Sequence, residues 1–349
     1  MQNSPLERSL LASPIPEPTV SDLKKWLWGS TSCNPLNPKA DSQPYFDFYS
    51  SKCLEYLTDG GRNVFQRTHA DVVNISDRIL RGDSREDILA YVTSFEAGCQ
   101  TSYSRCYAEH SVDLCATLLT MTDVGECTFK LSMQDFVAWT TGPLRNALTS
   151  HFVPTKSLGA RDVKLDGVFT APNLTRIGGI RILWTSNLAN HLRLTEDDTA
   201  VFIYHHASFL KMYQSVGGTL YPSGFVEETL RTLALLFPQS DRTVSSWLRS
   251  VDDDRSGVDL MVAKCGTLRS RDRRFERFLY WHDRLVILKQ AFDDAKPRKL
   301  SQWWWDRRDG VQWYTFWVAV LVFALTLFFG LVQSIEGGMQ VYLSYKSMQ

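Results

Sequence analysis

No charged residue occurs between Val311 and Ile335, and that feature limits what the chain can fold into more than any other. Within Trp313 to Val332, twelve of the twenty residues are Phe, Val or Leu. Twenty helical residues rising about 1.5 Å each reach roughly 30 Å, the thickness of a bilayer's hydrocarbon core. At roughly 0.3 to 0.6 kcal/mol per strongly apolar residue, twelve of them favour insertion by about 4 to 7 kcal/mol. A buried helix of a soluble protein is usually shorter and keeps one polar face. Here the apolar residues run all the way round. Thr315 and Thr326 lie inside the stretch, where their hydroxyls can bond back to helix carbonyls at little cost. A transmembrane helix over residues 313–332 is the expectation.

The flanks agree. Trp303, Trp304, Trp305, Trp313 and Tyr314, with Arg307 and Arg308, form an aromatic and cationic approach to the span. Indole and phenol are apolar bodies with one polar tip and settle at the water–lipid interface. Upstream lie Lys296, Arg298, Lys299, Arg307 and Arg308, while downstream there is only Lys346. Positive flanks stay in the cytosol, which places the N-terminal body there. Residues 1–18 contain no apolar run of signal-peptide length, and 17 residues follow Val332. The pattern is that of a single-pass, tail-anchored protein. The sequons at Asn74 and Asn173 are then cytosolic and unglycosylated. Thr326, Gly330, Ser334 and Gly338 repeat every four residues and make a small-residue ridge, a candidate helix–helix contact for self-association.

The remainder of the chain divides by composition and period. Residues 1–45, rich in Pro, Ser and Asn, are expected to be largely disordered, with a short helix Ser21–Trp28 as an exception. Residues 46–160 read as helical. Phe65, Val72, Ile75 and Ile79 share one face of a helix running to Gly82, and Asp83 or Ser84 caps a second helix carrying Ile88, Leu89, Val92 and Phe95. Leu114, Leu118 and Leu119 mark another stripe, and Ser132 with Asp135 resembles a capping box ahead of Phe136, Val137 and Trp139. Residues 161–300 read as mixed but mostly helical. Ile180 to Leu183 and Val201 to Tyr204 are β-prone runs around the turn-like Thr195–Asp198. Val226, Leu230, Leu233 and Phe237 make a helix that Pro238 ends, and Arg271–Ala291 is expected to be one long charged helix. A Trp-rich juxtamembrane segment (301–312) and a short tail (333–349) bracket the span. The fold class is mainly α with a small β element and a single C-terminal transmembrane helix.

Chemistry is harder to find. With 38 Lys plus Arg against 38 Asp plus Glu, the chain lacks the basic excess of a nucleic-acid binder. Its seven cysteines are odd in number and form no CxxC pair, which fits free thiols in a reducing compartment. Cys99, Cys106, His110 and Cys115 carry zinc-binding atoms at spacings that match no finger or ribbon. Asp252 to Gly257 resembles the start of a calcium loop, but Ala263 stands where a bidentate Glu is required. His205 and His206 are adjacent, so neither strand nor helix periodicity would aim them together. The basic run Arg269 to Arg277, interleaved with Asp272 and Glu276, reads as a solvated face, with anionic headgroups as its second reading. No metal, cofactor or catalytic set is expected. The partners are the bilayer, an unidentified protein, and a second copy through the span. The alternative is a membrane-tethered enzyme acting on a lipophilic substrate.

Residues 303–317 and 329–337, together with Leu183 to Leu192 and His205 to Leu210, resemble a group of uncharacterised fungal proteins. The resemblance covers roughly residues 175–345. It implies a single C-terminal span and brings no activity or site residues with it.

Overall fold

The computed structural model describes residues 4–12, 14–29, 42–57, 64–94, 102–125, 135–159, 164–252, 257–295 and 310–347. Helices dominate it, with one three-stranded sheet. A single buried cluster runs from Leu10 to Phe292 and passes through both regions expected from the sequence.

The N-terminal segment joins that core. Helix α1 (Glu17–Trp28) begins with Pro18 in its first turn and runs four residues longer than Ser21 would allow as its cap. Leu23 and Trp28 are buried, and the Trp26 indole donates to Asp77 at 2.7 Å. Leu10 is buried too, so the described parts of this expected disordered stretch are packed against the body. The Ser21–Trp28 helix is therefore part of a longer, core-bound one.

Helix α2 (Gln43–Tyr56) presents Tyr45, Phe46, Tyr49 and Cys53 inwards. Helix α3 (His69–Arg81) is bounded as its sequence demands. Thr68 and Asp71 exchange hydrogen bonds in a capping box, and Gly82 closes the other end in the left-handed conformation. Of the two candidate caps for α4 (Arg85–Ser94), Ser84 accepts from the Asp87 amide at 3.2 Å. Helix α5 (Ser102–Thr120) is the hub on which α2, α3 and α4 pack. Leu114, Leu118 and Leu119 are buried along it, as expected.

A buried ion pair crosses this hub: Arg85 Nη1 lies 2.6 Å from Asp113 Oδ1, and the guanidinium also sits over Trp139. Gly125 leaves room for it, since a Cβ there would lie 2.2 Å from Asp113 Oδ2. Residues 135–142 are not helical. Val137 bridges Val124, and the Asp135 carboxylate is taken by Arg193 and Arg284, so the expected capping box yields to distant partners. Ser132 itself lies outside the described residues. The next helix, α6 (Leu144–His151), starts after Pro143.

The β-prone runs form β1 (Arg181–Thr185) and β3 (Ala200–Tyr204), paired in parallel, with β2 (Leu194–Thr195) antiparallel on the far side of β3. The acidic turn is tight: Glu196, Asp197 and Asp198 all take positive φ. Ahead of the sheet, α7 (Ala171–Arg176) packs on β1. Beyond it, α8 (Ala207–Ser215) touches α1, α2 and α9 (Phe225–Leu236), so it joins the helical half to the rest. Tyr45 stacks on Phe209 at 5.6 Å across that joint. Helix α10 (Arg242–Asp252) buries Val244 and Leu248.

The long charged helix expected at Arg271–Ala291 is broken. Residues Ser270–Asp272 and Phe275–Arg277 are short 3-10 turns, and the α-helix, α11, begins only at His282 and ends at Asp294. The cause is Glu228 on α9. Its buried carboxylate accepts from the amides of Leu279 (2.8 Å), Tyr280 (2.8 Å) and Trp281 (2.9 Å), which pins that stretch in a non-helical form. Phe275, Phe278, Leu285 and Leu288 are nevertheless all buried, so the apolar line was sound and its periodicity misleading.

Candidate functional site

The carboxyl ends of parallel strands are where open α/β sheets usually bind ligands. Thr185 and Tyr204 are the last paired residues of β1 and β3, and Ser186, His205 and His206 follow directly. The Ser186 hydroxyl lies 2.9 Å from His206 Nε2. The two histidine rings, which adjacency alone would separate, have centroids 3.9 Å apart and are both buried. Neither is a surface histidine. His206 is also bordered by Phe48 and Tyr204, and His205 by Trp184.

Burial lowers the His205 pKa to about 4 and pushes His206 well below the ordinary imidazole range, with His205 adding to the effect. Both rings are neutral at physiological pH. His205 Nδ1 accepts from the Asp259 amide at 3.2 Å, so its proton sits on Nε2. His206 Nδ1 has no partner among the described residues. The direction of the Ser186–His206 hydrogen bond follows the tautomer of that ring.

The surrounding amides are also engaged. Asn187 donates to Thr185 Oγ1 (3.1 Å), Leu188 to the Met121 carbonyl (2.9 Å) and Ala189 to Asn187 Oδ1 (3.0 Å). At the start of α8, Ser208 donates to the Asp259 carboxylate at 2.7 Å. That carboxylate occupies the place an anionic ligand would take at the helix N-terminus. The Ser186–His206 pair joins the residues that follow β1 and β3. It ties two strand ends together.

A second polar network lies nearby. Asn187 bridges the Asp123 carboxylate (3.0 Å) and the Asp135 carbonyl (2.7 Å), and Lys52 reaches Asp123 at 3.1 Å. The Asp135 carboxylate receives Arg193 (3.2 Å) and Arg284 (2.9 Å). Arg284 also donates to the carbonyls of Ala189 and His191 at 2.6 and 2.7 Å. This node fastens α2, the sheet turn and α11 to one another. Sequence reading missed it because its bonded pairs are separated by up to 149 positions.

The sequence candidates fare as follows. Cys106 is exposed, with its thiol 3.7 Å from His110, while Cys115 points into the core; they do not converge, and Cys99 lies outside the described residues. Residues 253–256 of the acidic turn, and Trp303, Trp304, Trp305, Arg307 and Arg308, also lie outside them. Trp313 and Tyr314 sit in ring contact (5.2 Å) in the first turns of α12 (Gly310–Ser347). Among the described residues, α12 is the one helix long and apolar enough to cross a membrane, and none of it is buried. Thr326 bonds back to the Val322 carbonyl at 2.8 Å, as expected. The expected tail is part of the same rod, since the helix continues 15 residues past Val332 to Ser347. Thr326, Gly330, Ser334 and Gly338 lie along it, and a Cβ at either glycine would meet nothing within 4 Å. No protein-family model, no curated protein and no solved structure matches the chain.

Proposed function

We propose that this chain is a single-pass, tail-anchored membrane protein whose body works on the cytosolic side as a binding or scaffolding module. One observation carries the reading. Helix α12 is apolar on every face over residues 313–332, and no residue of its apolar window is buried. An apolar surface of that length is costly in water and favourable in lipid. The cations upstream and the near absence of charge downstream support the orientation. The Ser186 hydroxyl and the Ser208 amide are both engaged within the fold, which favours a binding role over chemistry. Two copies would pair through the ridge at Gly330, and a bulky substitution there should weaken self-association in the membrane.

The test is extraction at alkaline pH together with protease digestion of sealed vesicles. The reading expects the chain to resist extraction and its body to be digested from outside. Release by alkali, or a protected body, would overturn it. The enzyme reading rests on the Ser186–His206 contact, with Ser186 partly exposed. Labelling by a fluorophosphonate probe that vanishes in Ser186→Ala would favour it; the binding reading expects no such labelling.

A further inference from the structure

Segments more than a hundred positions apart in sequence meet at one side of the body. The Thr155 amide donates to the Leu279 carbonyl at 3.1 Å, and the Ser157 amide and hydroxyl donate to Asp283. The Leu165 amide donates to the Arg273 carbonyl at 2.7 Å, and Lys164 bridges Arg274. Residues 153–159, 164–168 and 269–279 thus form one contiguous surface. In sequence the basic run reads as a local feature of one helix. In the fold it acquires Lys156 and Lys164.

Across these segments and the Asp283 carboxylate that Ser157 holds, seven cations (Lys156, Lys164 and five arginines) face four carboxylates (Asp166, Asp272, Glu276 and Asp283), an excess of three in a chain of zero net charge. The Arg271 side chain is 71% exposed, and its guanidinium lies 3.8 Å from the Asp272 carboxylate. Between the cations stand apolar side chains left in solvent: Val153, Leu158, Val168 and Leu279. Cations interleaved with exposed apolar side chains suit the headgroup layer of an anionic bilayer, where ammonium and guanidinium meet phosphate and short apolar groups reach the acyl boundary.

The chain itself places a membrane within reach. From Ala295, at the end of α11, to Gly310, at the start of α12, it covers 15 residues, which span at most about 50 Å when fully extended. That interval carries five more cations against two acids. A surface tethered so closely meets the bilayer at an effective concentration on the order of millimolar.

We infer that the surface formed by residues 153–159, 164–168 and 269–279 docks the body onto anionic lipid headgroups of the membrane that holds α12. This rests on the anchoring proposed above. The test uses the full chain in nanodiscs of phosphatidylcholine, with or without phosphatidylserine, and reads amide hydrogen exchange.

The expected result is slower exchange of 153–159 and 269–279 in the anionic discs alone, reversed by raising the salt. Each charge removed should weaken docking about fivefold, so Lys156→Glu with Arg271→Glu and Arg277→Glu should abolish the protection. Unchanged exchange in α9 would show that this variant is folded, and the salt arm on the natural chain decides if it is not. Equal exchange in both lipids, or protection that survives charge reversal and salt, would overturn the inference while leaving the anchor intact. Failure of the chain to enter discs at all would overturn both.

Discussion

Helices α9 and α12 are both rich in Leu and Phe, yet they are built for different surroundings. Nine of the twelve residues of α9 are buried, and its polar members have assigned partners: Glu228 holds three amides, Thr229 receives the Trp281 indole, and Thr232 meets His191. No residue in the apolar window of α12 is buried, and its only charged residues, Glu336 and Lys346, lie in its second half. An interior protein helix can carry polar groups because neighbours satisfy them. A helix facing hydrocarbon has no such neighbours and must satisfy its backbone within itself. The contrast separates the two parts: the body is shaped by its own core, and the terminal helix has the length and apolarity to cross a membrane.

The largest effect that could break this contrast is removal of residues 310–349. Membrane retention should fall by about 4 to 7 kcal/mol, a loss of three to five powers of ten in partitioning. The body should keep its unfolding midpoint, because its core ends at Phe292. Flotation and thermal denaturation check the two halves of that statement. A body that aggregates without the helix would contradict it.

Next is Asp113→Ala. Burial raises the Asp113 pKa, opposed by Arg85, and removing the carboxylate strands a buried guanidinium. A loss of about 3 to 5 kcal/mol in stability is expected by urea unfolding. A change under 1 kcal/mol would show that the pair is not closed in solution. A matched pair of truncations sharpens the comparison further. Leu233→Ala should cost about 2 to 5 kcal/mol of body stability, whereas Leu327→Ala should leave that stability unmoved and weaken insertion by about 0.5 kcal/mol.

The last effect is one of pH. Burial lowers His69 and His205 to about 4 and His191 to about 3, the last with help from Arg284. Their folded pKa values lie below the unfolded value near 6.5, so the unfolded chain binds protons first. The stability they confer is complete above about pH 6.5 and is lost as pH falls towards 4 and 3. Each contributes up to about 1.4 kcal/mol per pH unit in that window. Membrane retention should not follow, since no histidine lies in α12. A body whose stability is flat from pH 7 to 4.5 would contradict this.

What could be read from the sequence follows the same division. The span needs no partner, so its composition was sufficient, apart from its extension past Val332, where small and polar residues disguise a continuing helix. Local punctuation also served: Gly82 and Ser84 bound their helices as expected. Failures occurred where a distant group decides. Residues 271–281 carry helical spacing, but Glu228, about fifty positions away, claims their amides. Asp135 looks like a cap until Arg193 and Arg284 take it. The contact of Ser186 with His206 depends on parallel pairing of β1 with β3, which no local pattern announces. Helix α10 was legible in principle, since Val244 and Leu248 lie four apart beyond the Asp241 side chain that accepts from Thr243.

Topology tests the central claim most directly. An acceptor sequon appended after Gln349 can be read by glycosylation when the chain is inserted into microsomes. A spanning α12 with a cytosolic body predicts modification of the appended site alone, with Asn74 and Asn173 untouched. Glycan on either native site, or an appended site that stays bare while the chain resists alkaline extraction, would contradict that orientation.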